Sequence, residues 1–189
     1  ALGSSVILMS ATLPTAKRRA LLDAYGATSD EAPTPYPRIT RVAGGVATSA
    51  AFRGRAQPTL AVKAAPDDLP ALAAFLRDLA RDGGCVGCIV NTVKRAQDLH
   101  RLLRAEVDPD EVYLFHARYP ADERQHRETR VLDMFGPGDA ARPRRAILIA
   151  TQVAEQSLDL DFDVLVTELA PVDLVLQRAG RLHRHERPA

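Results

Sequence analysis

From Thr59 onward the chain alternates short apolar runs with amphipathic stretches, and that alternation restricts the fold more than any other feature of the 189 residues. Strands are expected at 59–64, 86–91, 112–115, 147–150 and 164–166. Helices are expected at about 67–81, 93–105 and 121–135, and a last one begins near Pro171 and carries Gln177, Arg178, Arg181 and Arg184. Strands separated by helices of about ten to fifteen residues cannot pair as hairpins. They cross over right-handedly into an α/β fold, an open parallel sheet with helices on both faces. Such sheets collect ligand chemistry at the carboxyl ends of their strands, where Thr151-Gln152 and Ala170-Pro171 fall.

The upstream stretch reads differently. Val6 to Met9 is an apolar run of strand length, Ser10-Ala11-Thr12 follows, and a helical pattern at about 15–25 can be ended by Gly26. One strand and one helix cannot bury a core, so residues 1–26 are expected to be the remnant of a neighbouring domain. Residues 27–57, rich in Pro, Gly, Ala, Ser and Thr, read as a linker with a short strand at 39–42. The second domain is then 58–189. A chain that is 46% hydrophobic, 26% charged and only 5% aromatic builds its core from aliphatic side chains, which excludes disorder of the whole. Without a secretory leader, a bilayer-length apolar run or a disulfide framework it reads as cytoplasmic, with no membrane partner. Its first residue, Ala1 and not methionine, fits a piece of something longer.

Net charge is only +1, so basic residues matter by where they cluster: Arg118 to Arg130 is one cluster and Arg178 to Arg187 another. On a continuous helix Gln177, Arg181 and Arg184 share one stripe at i, i+4 and i+7, which suits a polyphosphate or is simply a solvated basic face. Gly180 costs a helix ~1 kcal/mol relative to Ala and suggests a close approach to the backbone. Asn91-Thr92, before Lys94-Arg95 at a helix start, offers an anion site or an ordinary N-cap. His116, Arg118 and Arg124 follow the next strand and can meet phosphate or the local carboxylates Asp122 and Glu123. Thr151 at a strand end can hold a phosphate or a turn.

No metal site is expected. Asp159, Asp161 and Asp163 alternate at about 7 Å in an extended strand, too far apart to share one ion. Cys85-x-x-Cys88 lacks two further ligands, and His183 with His185 offers little.

QRAGRLHR at 177–184 resembles motif six of superfamily 2 helicases, ATQVAEQSLD at 150–159 resembles motif five, and Ser10-Ala11-Thr12 resembles motif three, all in family order. With CIVNTVKRAQ at 88–97 and LFHARYPADER at 114–124, the wording is most similar to the CRISPR-associated helicase and nuclease of type I systems. The resemblance implies a RecA-like second lobe, acting on ATP and Mg2+ together with a first lobe. It implies catalytic arginine fingers at Arg181 and Arg184, and ATP binding or coupling by Gln177, Asp159, Gly180, Ser10 and Thr12. Asp159 would meet ribose or an arginine, with Asp161 and Asp163 as a solvated strand entry. Contacts to single-stranded DNA would come from Thr151, Asn91, Thr92 and Arg118. The implied partners are the first lobe, a nuclease domain and the CRISPR surveillance complex. Ser157 and Gln177 depart from the DEAD-box RNA helicases, which have glycine and histidine there. No G-x-x-x-x-G-K-[ST] string occurs, so the phosphate loop and the Mg2+ ligands are expected on the first lobe and the chain alone is expected to be inactive. Asp30-Glu31-Ala32-Pro33 follows motif three in a turn-rich stretch and does not substitute for them. The alternative is a non-catalytic module that binds nucleic acid or protein through its arginines.

Overall fold

The computed structural model describes residues 5–10, 12–27, 35–54, 59–137, 142–155 and 158–185; the expectations placed on Ala11, on Asp30 to Pro33 and on Ser157 lie outside these. The chain divides into two compact units, Ala1–Val62 and Lys63–Ala189.

In the first unit, helix α1 (Thr15–Ala24) is accompanied by a hairpin of β1 (Arg38–Ala43) and β2 (Val46–Ala51) in a stretch that reads as linker. Gly44-Gly45, with φ of 58° and 77°, makes the two-residue turn, a geometry that requires two left-handed residues in succession. Arg18 on α1 donates to Thr40 Oγ1 and Ser49 Oγ at 3.3 and 3.2 Å, and so clamps both strands. The run Val6 to Met9 forms no strand. Its side chains are 57–92% exposed, because an apolar run without a neighbouring strand has nothing to pair with.

The second unit is a four-stranded sheet, order β4-β5-β3-β6, with every pairing parallel. Its strands are β3 (Gly84–Ile89), β4 (Val112–Phe115), β5 (Arg145–Ala150) and β6 (Val164–Thr167). The run at 59–64 adds no strand; period-two alternation supplies side-chain placement but not a partner ladder. Helices α2 (Leu69–Leu79) and α3 (Val93–Arg104) cover one face through Leu76, Ala96, Leu99 and Leu103. Helix α4 (Ala121–Phe135) and the segment 158–162 cover the other through Val131, Phe135, Leu160 and Phe162. The two-faced covering explains why β3 and β5 are continuous apolar runs. Cys85 and Cys88, three positions apart on β3, therefore point to opposite faces, and burial pushes the Cys88 thiol up to about 12.

Gly87 on β3 leaves the space that the Phe162 ring fills: a Cβ there would lie 2.8 Å from the ring. Gly87→Ala is expected to lower unfolding free energy by about 1–3 kcal/mol through overpacking. Urea titration checks this, and an unchanged midpoint would mean that Phe162 moves aside freely.

Candidate functional site

The last helix, α5 (Val172–Ala179), descends from the carboxyl edge of β6. Its inward face is Leu174, Val175 and then Arg178, whose side chain is fully buried. Arg178 Nε donates to Glu155 Oε1 at 2.7 Å, and Nη2 lies 2.6 Å from the same oxygen. Nη1 donates to Thr167 Oγ1 at 2.6 Å and to the Glu168 carbonyl at 3.0 Å, while Nη2 reaches Asn91 Oδ1 at 3.3 Å. A buried guanidinium is tolerable only when its charge is paired and its donors are occupied, and here both conditions hold. The network continues at the protein surface. Glu168 accepts the Asn91 N–H at 2.5 Å and pairs with Arg95, which also donates to Asp67 Oδ1 at 2.9 Å. One cluster thus ties the ends of β3, β5 and β6 together.

The sequence reading of a single stripe Gln177-Arg181-Arg184 is corrected by the structure. The helix stops at Ala179 with Gly180 as its cap, and the next residues leave the helix to pair beside Phe162. Phe162 N–H donates to the Arg181 carbonyl at 2.8 Å, and His183 N–H donates to the Phe162 carbonyl at 3.1 Å. His183, at φ 45°, turns the chain so that the Arg184 N–H meets Asp161 Oδ1 at 2.8 Å. A Cβ on Gly180 would meet the Gln177 and Leu176 carbonyls at 3.4 and 3.6 Å, ordinary contacts, so the lobe itself does not demand glycine there.

Arg181 does not point outward as expected. It is 8% exposed and donates through Nη1 to the Leu158 carbonyl and through Nη2, at 2.8 Å, to the Glu155 carbonyl, which pins the loop after β5. Its Nε is buried with no hydrogen-bond acceptor among the described residues, and burial beside Arg184 lowers the pKa of its guanidinium. The physical reason for the inward turn is that the loop carbonyls, cut off from water, need donors. Arg184 is different. Its side chain is 43% exposed and its Nε lies 2.5 Å from Asp159 Oδ1, which His185 Nε2 also approaches at 3.2 Å. Asp159 is therefore an arginine partner in this structure. Gln177 is half-buried on α5.

The other expected site residues sort as follows. Thr151 is 1% exposed and its N–H already donates to the Phe115 carbonyl at 3.2 Å, so in this conformation it offers a strand phosphate neither surface nor that donor. Asn91 is spent on the network: besides the Arg178 and Glu168 bonds, its Nδ2 donates to the Leu169 carbonyl at 2.9 Å. Thr92 Oγ1 accepts the Arg95 N–H at 3.2 Å, an N-cap on α3. Arg118 is exposed, and its N–H donates to Nδ1 of the buried His116 at 3.3 Å. Ser10 and Thr12 close a local turn in the first unit, Ser10 Oγ donating to the Thr12 carbonyl at 2.8 Å. Asp161 and Asp163 are not a solvated strand entry. Asp161 is 1% exposed, and Asp163 accepts the Cys85 N–H at 2.6 Å and pairs with Arg142 at 3.2 Å. Among the described residues no group of three His, Cys, Asp or Glu side chains could hold a metal ion, and no helix is long and apolar enough to cross a membrane.

Because β5 and β6 run parallel, segment 151–163 must return across the sheet. It starts at the carboxyl edge with Thr151 and ends where Asp163 meets the beginning of β3. Asp159 and its partner Arg184 lie further along that return path, whereas Arg181 meets it nearer Thr151, at the Glu155 carbonyl. Glu155, Glu168 and the burial of Arg178 are features of this cluster that sequence reasoning missed. The available signal was that Arg178 follows Leu174 and Val175 on the one apolar side of α5.

An open parallel sheet, a strand-end loop bound to a motif-six arginine, and a terminal guanidinium outside the core together define the second RecA-like lobe of a helicase. Residues 82–187 match the family described as CRISPR-associated nuclease/helicase Cas3, C-terminal, and the chain belongs to that family. It is 43% identical to a CRISPR-associated endonuclease/helicase Cas3 of Thermus thermophilus, covering 100% of this chain and 25% of the relative. It is 40% identical to the protein of that name from Escherichia coli, over 98% of this chain and 22% of the relative. Among solved structures, one described as a CRISPR-associated protein superposes with TM-score 0.76 at 45% identity, over 93% of this chain and 20% of its own. T. fusca Cas3 with ATP superposes with TM-score 0.67 at 33% identity, covering 81% and 20%. A chain of a CRISPR RNA-guided surveillance complex before nicking gives TM-score 0.70 at 31% identity, covering 93% and 24%. The chain thus spans a quarter or less of the length of these relatives.

Proposed function

We propose that this chain is the second lobe of an ATP-driven DNA helicase and translocase that acts in CRISPR interference. In that protein it would supply one half of a split nucleotide site and part of the single-stranded DNA track. The first lobe would supply the phosphate loop and the Mg2+ ligands, neither of which has a counterpart among these residues. The observation that carries the reading is Arg184. It is a guanidinium outside the core, anchored by its backbone on Asp161, paired with the half-buried Asp159 in the ion pair described above and donating through Nη1 to the Gly180 carbonyl at 3.4 Å. A partly exposed pair of this kind is worth on the order of 1 kcal/mol, so a phosphate presented by a closing first lobe can compete with Asp159 for the guanidinium.

Phosphoryl transfer needs fixed cations where charge develops, and Arg184 is the partly exposed motif-six guanidinium of this lobe placed to supply one. Asp159, released, is then available to the ribose or to another arginine. Arg181, with one unpaired buried N–H, either stays as the bracket of the loop or follows Arg184 outward when the nucleotide arrives. Segment 151–163 joins the nucleotide end to the strand end that carries the nucleic-acid candidates. The Arg178–Glu155 pair stiffens it, so lobe closure can be transmitted as a movement of the track. The surveillance complex and a nuclease domain are the partners this reading implies.

A longer chain that restores the upstream lobe is expected to hydrolyse ATP with stimulation by single-stranded DNA. Turnover indifferent to nucleic acid, measured across a titration of oligonucleotide, would contradict the translocase reading.

A further inference from the structure

The motor reading leaves one surface unused, the outer edge of β4. Between α3, β4 and α4 lies an open cleft of about 450 Å³ lined by His100, Arg104, Tyr113, Tyr119, Arg127 and Arg130. Arg104 and Arg130 are exposed and enter no ion pair among the described residues, whereas Arg127 is shared with Glu123 at 2.8 Å. The cleft therefore carries two guanidiniums outside any ion pair among the described residues beside a third, against the carboxylates of Asp110 and Glu123 in its lining.

Its floor is a strand edge. Phe115 of β4 turns its carbonyl toward β5, where it accepts the Thr151 N–H, so by alternation Leu114 turns its N–H and C=O to the cleft side. No hydrogen bond to the Leu114 main chain exists among the described residues outside the ladder, while the Val112 main chain is engaged by His100. Leu114 is itself only 9% exposed, so what this short edge offers the cleft beside the arginines is its main-chain groups. The aromatic rings, by contrast, are already taken. Tyr119 has His116 stacked on it at 4.1 Å and the Arg127 guanidinium 4.1 Å from its centroid, and Tyr113 has Arg130 at 5.2 Å and the Phe135 edge at 5.6 Å. A single nucleic-acid strand bound without sequence preference relies on free aromatic faces for its bases, whereas both tyrosine rings here already have partners.

We propose that this cleft docks an extended acidic peptide segment of a partner protein, which pairs its main chain with Leu114 and sets its carboxylates against Arg104 and Arg130. The inference does not depend on the motor reading, since none of its residues belongs to the nucleotide or strand candidates.

Fluorescence anisotropy with a short labelled peptide of alternating Glu and Val tests it on the full 189-residue chain at low salt. Arg104→Gln/Arg130→Gln should weaken binding by about tenfold or more, with an unchanged thermal midpoint showing that the fold persists. Methylating alternate peptide nitrogens, which removes main-chain donors but no charge, should weaken it comparably. Equal binding of the methylated peptide would overturn the strand pairing. A thymidine oligonucleotide that binds with the same sensitivity to the two substitutions while the peptide does not would overturn the choice of partner, and so would peptide binding indifferent to both substitutions.

Discussion

Arg178→Ala is expected to lower the unfolding free energy of the chain by about 3–5 kcal/mol, because it leaves the Glu155 carboxylate, 2% exposed, without its counter-charge. It also strips Thr167, Asn91 and the Glu168 carbonyl of a shared donor. Urea unfolding reads the loss, and Arg178→Met/Glu155→Leu separates its two components. Removing both charges while keeping apolar volume should recover most of the stability, since the larger penalty comes from the orphaned carboxylate and not from the missing attraction. If the single substitution cost under about 1 kcal/mol, the expectation for an exposed pair, the buried network would not be what holds these strand ends together.

Arg184→Ala should act in the opposite way, with little effect on stability and a large one on rate. Its side chain is nearly half exposed and its anchor on Asp161 is a backbone N–H, which alanine keeps. In a protein that includes the upstream lobe, loss of the finger is expected to slow ATP turnover by about 10³-fold or more, while affinity for single-stranded DNA changes by less than about tenfold. Parallel steady-state turnover and anisotropy titrations distinguish the cases. Equal losses in both would make Arg184 a structural or strand-binding residue. Arg181→Ala is a useful contrast: with its guanidinium bound to two loop carbonyls, its first effect should be on folding.

The parts of this molecule that were legible in its sequence are those governed by local rules. Strand β4 and helix α4 fall at Val112–Phe115 and Ala121–Phe135 as the apolar run and the helical period predict. Helices α2 and α3 begin beside Asp68 and Thr92, residues whose side chains do cap them. Of the hairpin at 38–51, the strand expected at 39–42 is there as β1, whereas β2, built mostly from Ala, Ser and Thr, was hidden, and the informative sign was the Gly44-Gly45 turn. The apolar alternation at 59–64 misled, since a strand exists only where another lies beside it. In the candidate site, the motif residues at its rim were visible in the sequence and the buried network at its centre was not. Arg184 and Asp159 were each singled out by their motifs, Asp159 as a partner for ribose or an arginine, and the structure pairs the two. Arg178 takes its acceptors from Glu155, Glu168 and Asn91, which lie 23, 10 and 87 positions away, and no periodicity brings those together. Arg181 shows the same limit in reverse: its spacing suggested an outward stripe, but a helix that stops at Gly180 has no further stripe to present.

The central claim is that half of a nucleotide site resides here and half on another lobe. ATP hydrolysis by the 189-residue chain, measured alone and again after addition of the separately purified upstream lobe with single-stranded DNA, tests it most directly. The account predicts background turnover from the chain alone and turnover that appears on mixing and disappears with Arg184→Ala. DNA-stimulated hydrolysis by the chain on its own, or a mixture as active with Arg184→Ala as without it, would contradict it.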